Sequence, residues 1–264
     1  MTDTYTLILA PNSSLMTGPG TNTIVLGGGV NGATVIDPGD ENPEHLEAIV
    51  REGSRRGGIR RILITHGHLD HQGGAEALRQ RTGAPIYAFN RQGTASADHE
   101  VPDGTTFPVG DDILLAIHTP GHRFDHLVYL LQGERVLFAG DLISGITTNV
   151  IIPPEGDMLD YLASLARLQG VDIAEIVPAH GPTISDAQAK LAEYISHRWQ
   201  REQQVLDTLQ ELSSATVPAL VELIYVDVDP RLHPVAAWTV EAHLLKLERE
   251  GRVKRAEDEK WSRI

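Results

Sequence analysis

The stretch Thr65-His66-Gly67-His68-Leu69-Asp70-His71 directly follows the apolar run Ile62-Leu63-Ile64. Such a short apolar run predicts a buried strand, which places the polar stretch at a strand end. Imidazoles and carboxylates are good ligands for a borderline metal such as zinc. They are poor core material, because burying each one unpaired costs several kcal/mol. The stretch therefore predicts one half of a metal site.

The other half is predicted from three polar residues at later strand ends, each beside a glycine that permits close backbone approach: His122, Asp141 and His180. The seven candidates sort into a three-histidine site, a second site and a bridging carboxylate: His66, His68 and His122; Asp70, His71 and His180; and Asp141. Two metals about 3.5–4 Å apart can hold a hydroxide, because they lower the pKa of bound water. We therefore predict a dinuclear hydrolytic centre, in which Asp70 orients the hydroxide and His180 is a candidate proton donor.

Further residues are candidates for supporting roles. Asp37 ends a predicted strand, where it either forms a turn or holds a ligand histidine by its free ring nitrogen. His118 lies in an apolar strand and is either a core residue or a support for a ligand. Arg123 follows His122 and either pairs with Asp125 or Asp141 or binds a substrate carboxylate or phosphate. Thr148 and Asn149 belong to the largely uncharged loop 144–154, which we expect to face the substrate.

Hydrophobic periodicity predicts helices at 43–52, about 72–81, 185–212 (with Ser185 as its N-cap), 217–225 and 236–250, and a C-terminal hairpin. Between residues 106 and 139 the pattern indicates only short strands. Strands alternating with helices indicate a layered α/β body. We predict three segments: a catalytic domain over 1–184, a long connecting helix over 185–212 and a small winged-helix-like domain over 213–264.

Composition sets limits on partners and location. The formal net charge is −14, of which −11 falls on residues 1–181, and this acidity disfavours general binding to nucleic acid. The chain has no cysteine, no basic and apolar leader, and no apolar run near the roughly 20 residues of a membrane span. We expect a cytoplasmic protein with a small-molecule substrate and no membrane partner, and we leave homodimer formation open.

These motifs resemble the metallo-β-lactamase superfamily over about residues 15–185. The resemblance is carried by Gly20-Thr21-Asn22-Thr23, Asp37, Thr65–His71, the 118–122 segment, Gly140-Asp141 and His180-Gly181. Segments 195–204, 233–237 and 244–248 are similar to the β-lactamase-like protein 2 family and its winged-helix domain. This resemblance implies a four-layer αββα fold, two zinc ions per chain (with iron or manganese as alternatives) and hydrolysis. Members of that family are single-strand RNA endonucleases, and relatives act as acyl-carrier thioesterases.

One feature departs from the family pattern. The family usually has threonine or serine after the Pro-Gly-His motif, whereas this chain has Arg123-Phe124-Asp125.

The sequence is compatible with several functions. The first is a dinuclear zinc hydrolase of a small ester, thioester or lactone. The alternative is a single-strand endoribonuclease or phosphodiesterase, favoured by the resemblance and disfavoured by the charge. Basic residues 249–255 are interleaved with acidic ones, so the winged helix shows no clean basic face, and a role as a lid or dimer support is favoured. Incidental β-lactam hydrolysis and a mononuclear iron oxygenase acting on a thiol are less favoured.

Overall fold

The computed structural model describes residues 4–264, which divide into two compact units. Among the described residues, the first unit contains residues 4–119, 125–148 and 171–188. The second contains residues 120–124, 149–170 and 189–264. In the described range, none of the helices has the length and apolar character needed to cross a bilayer.

Six strands form the first sheet of the first unit, in the order β1 (Tyr5–Leu9), β2 (Asn22–Gly27), β3 (Ala33–Ile36), β4 (Ile59–Leu63), β5 (Ile86–Ala88) and β6 (His99–Glu100). The first three strands are antiparallel, and β3 to β6 run parallel. Parallel neighbours end at the same edge of a sheet. The residues that follow β3 and β4 therefore emerge side by side.

Five strands form the second sheet, in the order β11 (Glu175–Val177), β10 (Val136–Phe138), β9 (Leu127–Leu131), β8 (Asp112–His118) and β7 (Thr106–Val109). Only β10 and β11 are parallel, and the other neighbours are antiparallel. The residues that follow β10 and β11 thus also share one sheet edge.

Alternating side chains divide the core of the first unit into two layers. In β2, Ile24 and Leu26 pack with second-sheet residues such as Tyr129 and Phe138. Val25 points the other way, into a cluster that also receives residues of α1 (Pro43–Arg55) and α3 (Ala75–Thr82). This is the period of two expected of a strand covered on both faces. The first unit therefore contains a helical layer, a sheet and a second sheet.

The second unit is mainly helical. It contains α4 (Met158–Gln169), most of α5 (Ala187–Leu212), α6 (Val217–Ile224), α7 (His233–Arg249) and the hairpin of β12 (Val253–Arg255) with β13 (Trp261–Arg263). Its core gathers apolar residues of α5, α6 and α7 around the hairpin: Leu209, Leu220, Leu244, Leu247 and Trp261. Helices followed by a hairpin agree with the winged-helix-like pattern predicted from the sequence.

The element boundaries differ from the predicted ones in a few places. The helix predicted from about 72 to 81 is two helices, α2 (Leu69–Gln72) and α3, separated by Gly73-Gly74, because glycine is a poor helix former. Helix α5 begins at Ala187, so Ser185 does not directly precede it and the predicted N-cap is wrong. The sequence pattern also missed β1, β6 and α4.

A buried charge cluster in the second unit yields a stability prediction. The Glu202 carboxylate lies 2.8 Å from Lys246 Nζ and 3.1 Å from Arg252 Nη1, and the Glu202 and Lys246 side chains are both buried. We expect Glu202→Gln to lower the free energy of unfolding by about 2 kcal/mol, because the buried Lys246 loses one of its two carboxylate partners and keeps Glu250, which lies 2.8 Å from its Nζ. Urea unfolding at pH 7 measures the loss, and Glu222→Gln, at an exposed position of α6, is the control.

The pH dependence of the free energy of unfolding tests whether the charge of Glu202 causes this stabilisation. Burial opposes ionisation of Glu202, but the nearby His243 ring and the Lys246 ammonium group outweigh it and lower the pKa of that carboxyl below its ordinary value. A lowered pKa means that the stabilisation is present above the ordinary value and is lost as the pH falls through the folded-state pKa. The difference between wild type and variant should therefore shrink on acidification. A difference independent of pH would contradict the assignment.

Candidate metal centre

Strand ends supply most of the candidate ligands. Asp37 directly follows β3, and Thr65 to His71 follow its parallel neighbour β4. On the second sheet, Asp141 and His180 follow the parallel pair β10 and β11. The topology thus places these candidate ligands at two sheet edges. Residues that are far apart in the sequence therefore lie at the same edge of a sheet.

Two groups of side chains offer ligand atoms that lie within 4.8 Å of one another in each group: His66, His68, His122 and Asp141 in the first, and Asp70, His71 and His180 in the second. Each group contains histidine and one carboxylate, the donor set expected of a zinc site without cysteine. These are the groups expected from the sequence, apart from the bridging place given to Asp141. Their assignment as metal ligands stays a prediction.

Distances from Asp141 connect it to the second group as well. Its Oδ1 lies 3.3 Å from His180 Nε2 and 3.6 Å from His71 Nε2. His180 Nε2 also lies 3.3 Å from Asp70 Oδ2. A carboxylate that belongs to one group and adjoins the other has the position required of a bridging ligand.

Asp37 fixes the ring of His71. The Asp37 carboxylate accepts hydrogen bonds from the Thr65 backbone N–H at 2.8 Å and from Thr65 Oγ1 at 2.6 Å. The same carboxylate lies 2.8 Å from His71 Nδ1, which donates to it. Of the two roles considered for Asp37, the structure therefore shows the one in which it holds a candidate ligand histidine. This contact leaves Nε2 of His71 to point toward Asp70 and Asp141.

In two further candidate ligands, His122 and His180, a backbone carbonyl shows which ring nitrogen carries the proton. His180 Nδ1 lies 3.2 Å from the Gly20 carbonyl, and His122 Nδ1 lies 2.8 Å from the Val150 carbonyl. A carbonyl accepts hydrogen bonds and does not donate, so Nδ1 carries the proton in both rings. In the neutral form of each ring, Nε2 then has the lone pair that a metal requires.

The carboxylates shift the protonation of this site. Burial opposes the charged form of His71, but Asp141 and Asp37 outweigh it and raise its pKa well above the ordinary value. Burial likewise opposes protonation of His180, and Asp141 and Asp70 raise the pKa of that ring. For Asp70, burial is outweighed by a hydrogen bond from His180 and by the charge of His71, so its pKa is lowered. These groups therefore favour positive charge at the site, carried either by a protonated ring or by a bound cation.

Two buried residues hold the loops that carry candidate ligands, and sequence reasoning did not settle their roles. His126 Nε2 accepts a hydrogen bond from the Asp141 backbone N–H at 3.0 Å, and its Nδ1 lies 3.0 Å from Thr119 Oγ1. Asp125 Oδ2 accepts from the Gly67 backbone N–H at 3.0 Å. The signal for both was their position directly after the His122 loop.

The other candidates take different places. The His118 ring stacks on Phe89 with centroids 3.9 Å apart, so His118 has a packing contact. In the second unit, Arg123 pairs with Glu155 through Nη1 and Oε2. Asn149 is buried, and its backbone carbonyl accepts from Arg198 Nη2, whereas Thr148 is half-buried. Substrate contacts by Arg123, Thr148 and Asn149 stay predictions.

The donor atoms fit a divalent cation. Within residues 4–264, the buried His71 Nε2 has no hydrogen-bond partner, although the carboxylates of Asp70 and Asp141 lie 3.7 and 3.6 Å away. An unsatisfied buried nitrogen is costly unless another species satisfies it. A cation bound among these atoms would accept that lone pair and neutralise the carboxylates. The arrangement is therefore suited to binding metal ions.

Comparison with known proteins gives the class. The model of the metallo-beta-lactamase superfamily matches residues 16–180, and the model of the beta-lactamase associated winged helix domain matches residues 216–261. A metallo-beta-lactamase family protein from Thermus thermophilus superposes with a TM-score of 0.82 at 20% identity, covering 99% of both chains. The predicted fold class, a metallo-β-lactamase fold with a C-terminal winged-helix domain, is thus confirmed.

The relatives narrow the family further. The chain is 33% identical to the beta-lactamase-like protein 2 homolog of Drosophila melanogaster, over 99% of this chain and 94% of the relative. It is 32% identical to an atrochrysone carboxyl ACP thioesterase of Aspergillus fumigatus, over 83% of this chain and 72% of that protein. The chain therefore belongs to the metallo-β-lactamase superfamily and, within it, to the β-lactamase-like protein 2 family.

The hydrogen bonds of Asp37 lead to a test of its positioning role. We expect Asp37→Asn to weaken binding of Zn²⁺ about 10- to 100-fold, because an amide has one acceptor oxygen and cannot replace both carboxylate oxygens, of which Oδ1 accepts from the Thr65 backbone N–H and Oδ2 from Thr65 Oγ1 and His71 Nδ1. Competition against a chromogenic chelator measures the affinity, and circular dichroism checks folding. Asp111→Asn, at an exposed position of the first unit, is the matched control. Equal affinities in the Asp37→Asn variant and wild type would show that Asp37 does not support a metal ligand.

Proposed function

We propose that this chain is a dinuclear zinc-dependent hydrolase of a small ester, thioester or lactone. The observation that carries the proposal is the pair of ligand groups with Asp141 adjoining both. His66, His68 and His122 would hold one ion, Asp70, His71 and His180 the other, and Asp141 would bridge them. Bound zinc would supply Lewis-acid polarisation of the substrate carbonyl and activation of water.

The residues of the chain then have distinct tasks. Asp37 and His126 fix the His71 ring and the Asp141 backbone, so the ligand atoms are held before substrate binds. Asp70 is partly exposed, and its lowered pKa keeps it ionised at neutral pH, so it can orient an attacking water by accepting its proton in a hydrogen bond. His180 turns Nε2 toward both carboxylates. As a ligand through that atom it is no longer a proton donor, so we assign leaving-group protonation to the proton that Asp70 takes from the attacking water, or to solvent.

Two further observations support the substrate class. The relative from Aspergillus fumigatus is named as a thioesterase. A protein with a related sequence is therefore assigned hydrolysis of an acyl thioester, the substrate class proposed for this chain. The charge of −11 on residues 1–181 repels a phosphate backbone at long range. Small neutral acyl substrates do not meet that repulsion.

Metal content and a substrate panel test the proposal together. Protein purified without added metal should contain about two zinc ions per chain by mass spectrometry, and chelation should remove hydrolysis of a thioester, ester or lactone. The panel should also include single-stranded RNA, a bis-aryl phosphodiester and a β-lactam. One iron per chain, or cleavage of RNA alone, would overturn the proposal.

A single substitution tests the role of Asp70. We expect Asp70→Asn to lower kcat/KM for the best panel substrate by about 10²- to 10⁴-fold, because the amide neither ligates a metal as a carboxylate does nor accepts a proton. Initial rates measured at saturating zinc separate this loss from simple depletion of metal. The Asp111→Asn control should keep wild-type rates. Intact activity in Asp70→Asn would show that the site is misassigned.

A further inference from the structure

A cavity of about 430 Å³ opens beside the candidate metal centre within the first unit. Its lining comes from three parts of the chain, namely the segment between β1 and β2, the turn after β3, and the start of α2. The lining residues are Asn12, Ser14, Met16, Thr17, Gly39, Asp40, Leu69 and Asp70. Asp70 thus belongs both to the cavity wall and to the second ligand group. A molecule in this cavity has one end at the reacting centre.

Large apolar side chains, which are usually buried in a folded protein, are exposed at this cavity. Leu69 is 79% exposed and Met16 is 51% exposed, and both line the cavity. Leu15, next to Met16, is 73% exposed. Several exposed apolar side chains gathered at one place mark a binding surface more often than single ones do.

Ile146 adds a fourth exposed apolar side chain to the same region. It is 47% exposed and lies against Gly18 and Gly181, where an added Cβ would collide with its Cδ1 or its Cγ1. Gly181 directly follows the candidate ligand His180. The two glycines therefore leave room for an apolar side chain between the 11–20 segment and the metal centre.

The polar residues of the 11–20 segment form hydrogen bonds within the segment and with Thr21, which directly follows it. Asn12 Oδ1 accepts from the Thr21 backbone N–H, and Ser14 Oγ accepts from the backbone N–H groups of Met16 and Thr17. Thr17 Oγ1 donates to the Asn12 carbonyl at 2.7 Å. This network orders the segment before a ligand arrives and presents Leu15 and Met16 outward.

The charges of the cavity exclude one class of ligand. Among the described residues, the eight that line it include the carboxylates of Asp40 and Asp70 and neither lysine nor arginine. An anionic group such as a phosphate would meet like charge there and find no charge-assisted donor. A neutral apolar group meets Leu69 and Met16 and loses no ionic partner.

We infer that this cavity binds the apolar acyl portion of a neutral substrate, with Leu69 and Met16 setting chain-length preference. The inference rests on the proposed function, because it places the scissile carbonyl of that substrate at Asp70. The acyl chain extends along Leu69 toward the 11–20 segment, and a medium-length chain fits a volume of this size.

Binding and turnover are measured separately to test this. The probes are butanamide, hexanamide and octanamide, which are neutral and not readily hydrolysed, titrated by NMR into the full-length protein both with zinc and after chelation. Affinity should rise at least about tenfold from butanamide to octanamide, because each buried methylene adds roughly two- to fourfold. In parallel, kcat/KM is measured for the butanoyl, hexanoyl and octanoyl thioesters of N-acetylcysteamine.

Leu69→Ser and Met16→Ser are the test variants, since both positions are largely exposed and tolerate a polar residue without loss of the fold. Each should reduce the octanamide-to-butanamide ratio to less than about threefold. Leu212→Ser, at an exposed leucine that lines neither this cavity nor the cavity beside α6, is the control and should retain the wild-type ratio.

The outcomes separate the two proposals. Chain-length-dependent binding that requires Leu69, without hydrolysis of any ester, thioester or lactone in the panel, would support the cavity and overturn the proposed function. Hydrolysis with flat chain-length dependence in wild type would support the function and overturn the cavity inference. Wild-type ratios in both test variants, or octanoate binding as tightly as octanamide to the chelated protein, would also overturn it.

Discussion

The hydrogen bonds received by the Asp37 carboxylate are the constraint on which the candidate centre depends. They connect the end of β3 to the first residues after β4, and they orient the His71 ring. Because β3 and β4 are parallel neighbours, the two ends meet only if the sheet forms in this register. A local polar contact and the long-range sheet topology are therefore stabilised together.

This constraint has an energetic cost that the layers of the first unit offset. Asp37 is buried, carries a positive φ of 48° and belongs to a region that also contains Asp70 and Asp141. Holding a non-glycine residue in that conformation and several carboxylates near one another is unfavourable in isolation. Two apolar clusters on either side of the first sheet, with residues such as Ile36 and Ile62 fully buried, fix the strand ends that hold these groups. The core thereby stabilises an arrangement that its polar residues alone would not adopt.

Much of the candidate centre could be predicted from the sequence because its residues are chemically unusual for their positions. A run such as Thr65–His71 cannot be an ordinary core segment, and His122, Asp141 and His180 each stand beside a glycine at a strand end. Supporting residues carry weaker signals. His126 looks like any histidine near an apolar strand, and only its contact with the Asp141 backbone shows what it holds. Helix α4 was missed although Asp157 caps it through hydrogen bonds to Leu159 and Asp160, because its cap follows a proline-rich loop.

Substrate preference is harder to predict for a physical reason that Leu69 illustrates. In the sequence it stands between His68 and Asp70, where a leucine would be expected to pack into the core. In α2, His71 is instead buried against Asp37 and Leu69 faces solvent, since residues two positions apart on a helix point in different directions. The contact that orders the metal ligand therefore also exposes the leucine beside it. Ligand geometry and the apolar wall of the neighbouring cavity are thus two consequences of one short helix, and a change in how α2 is held would alter both.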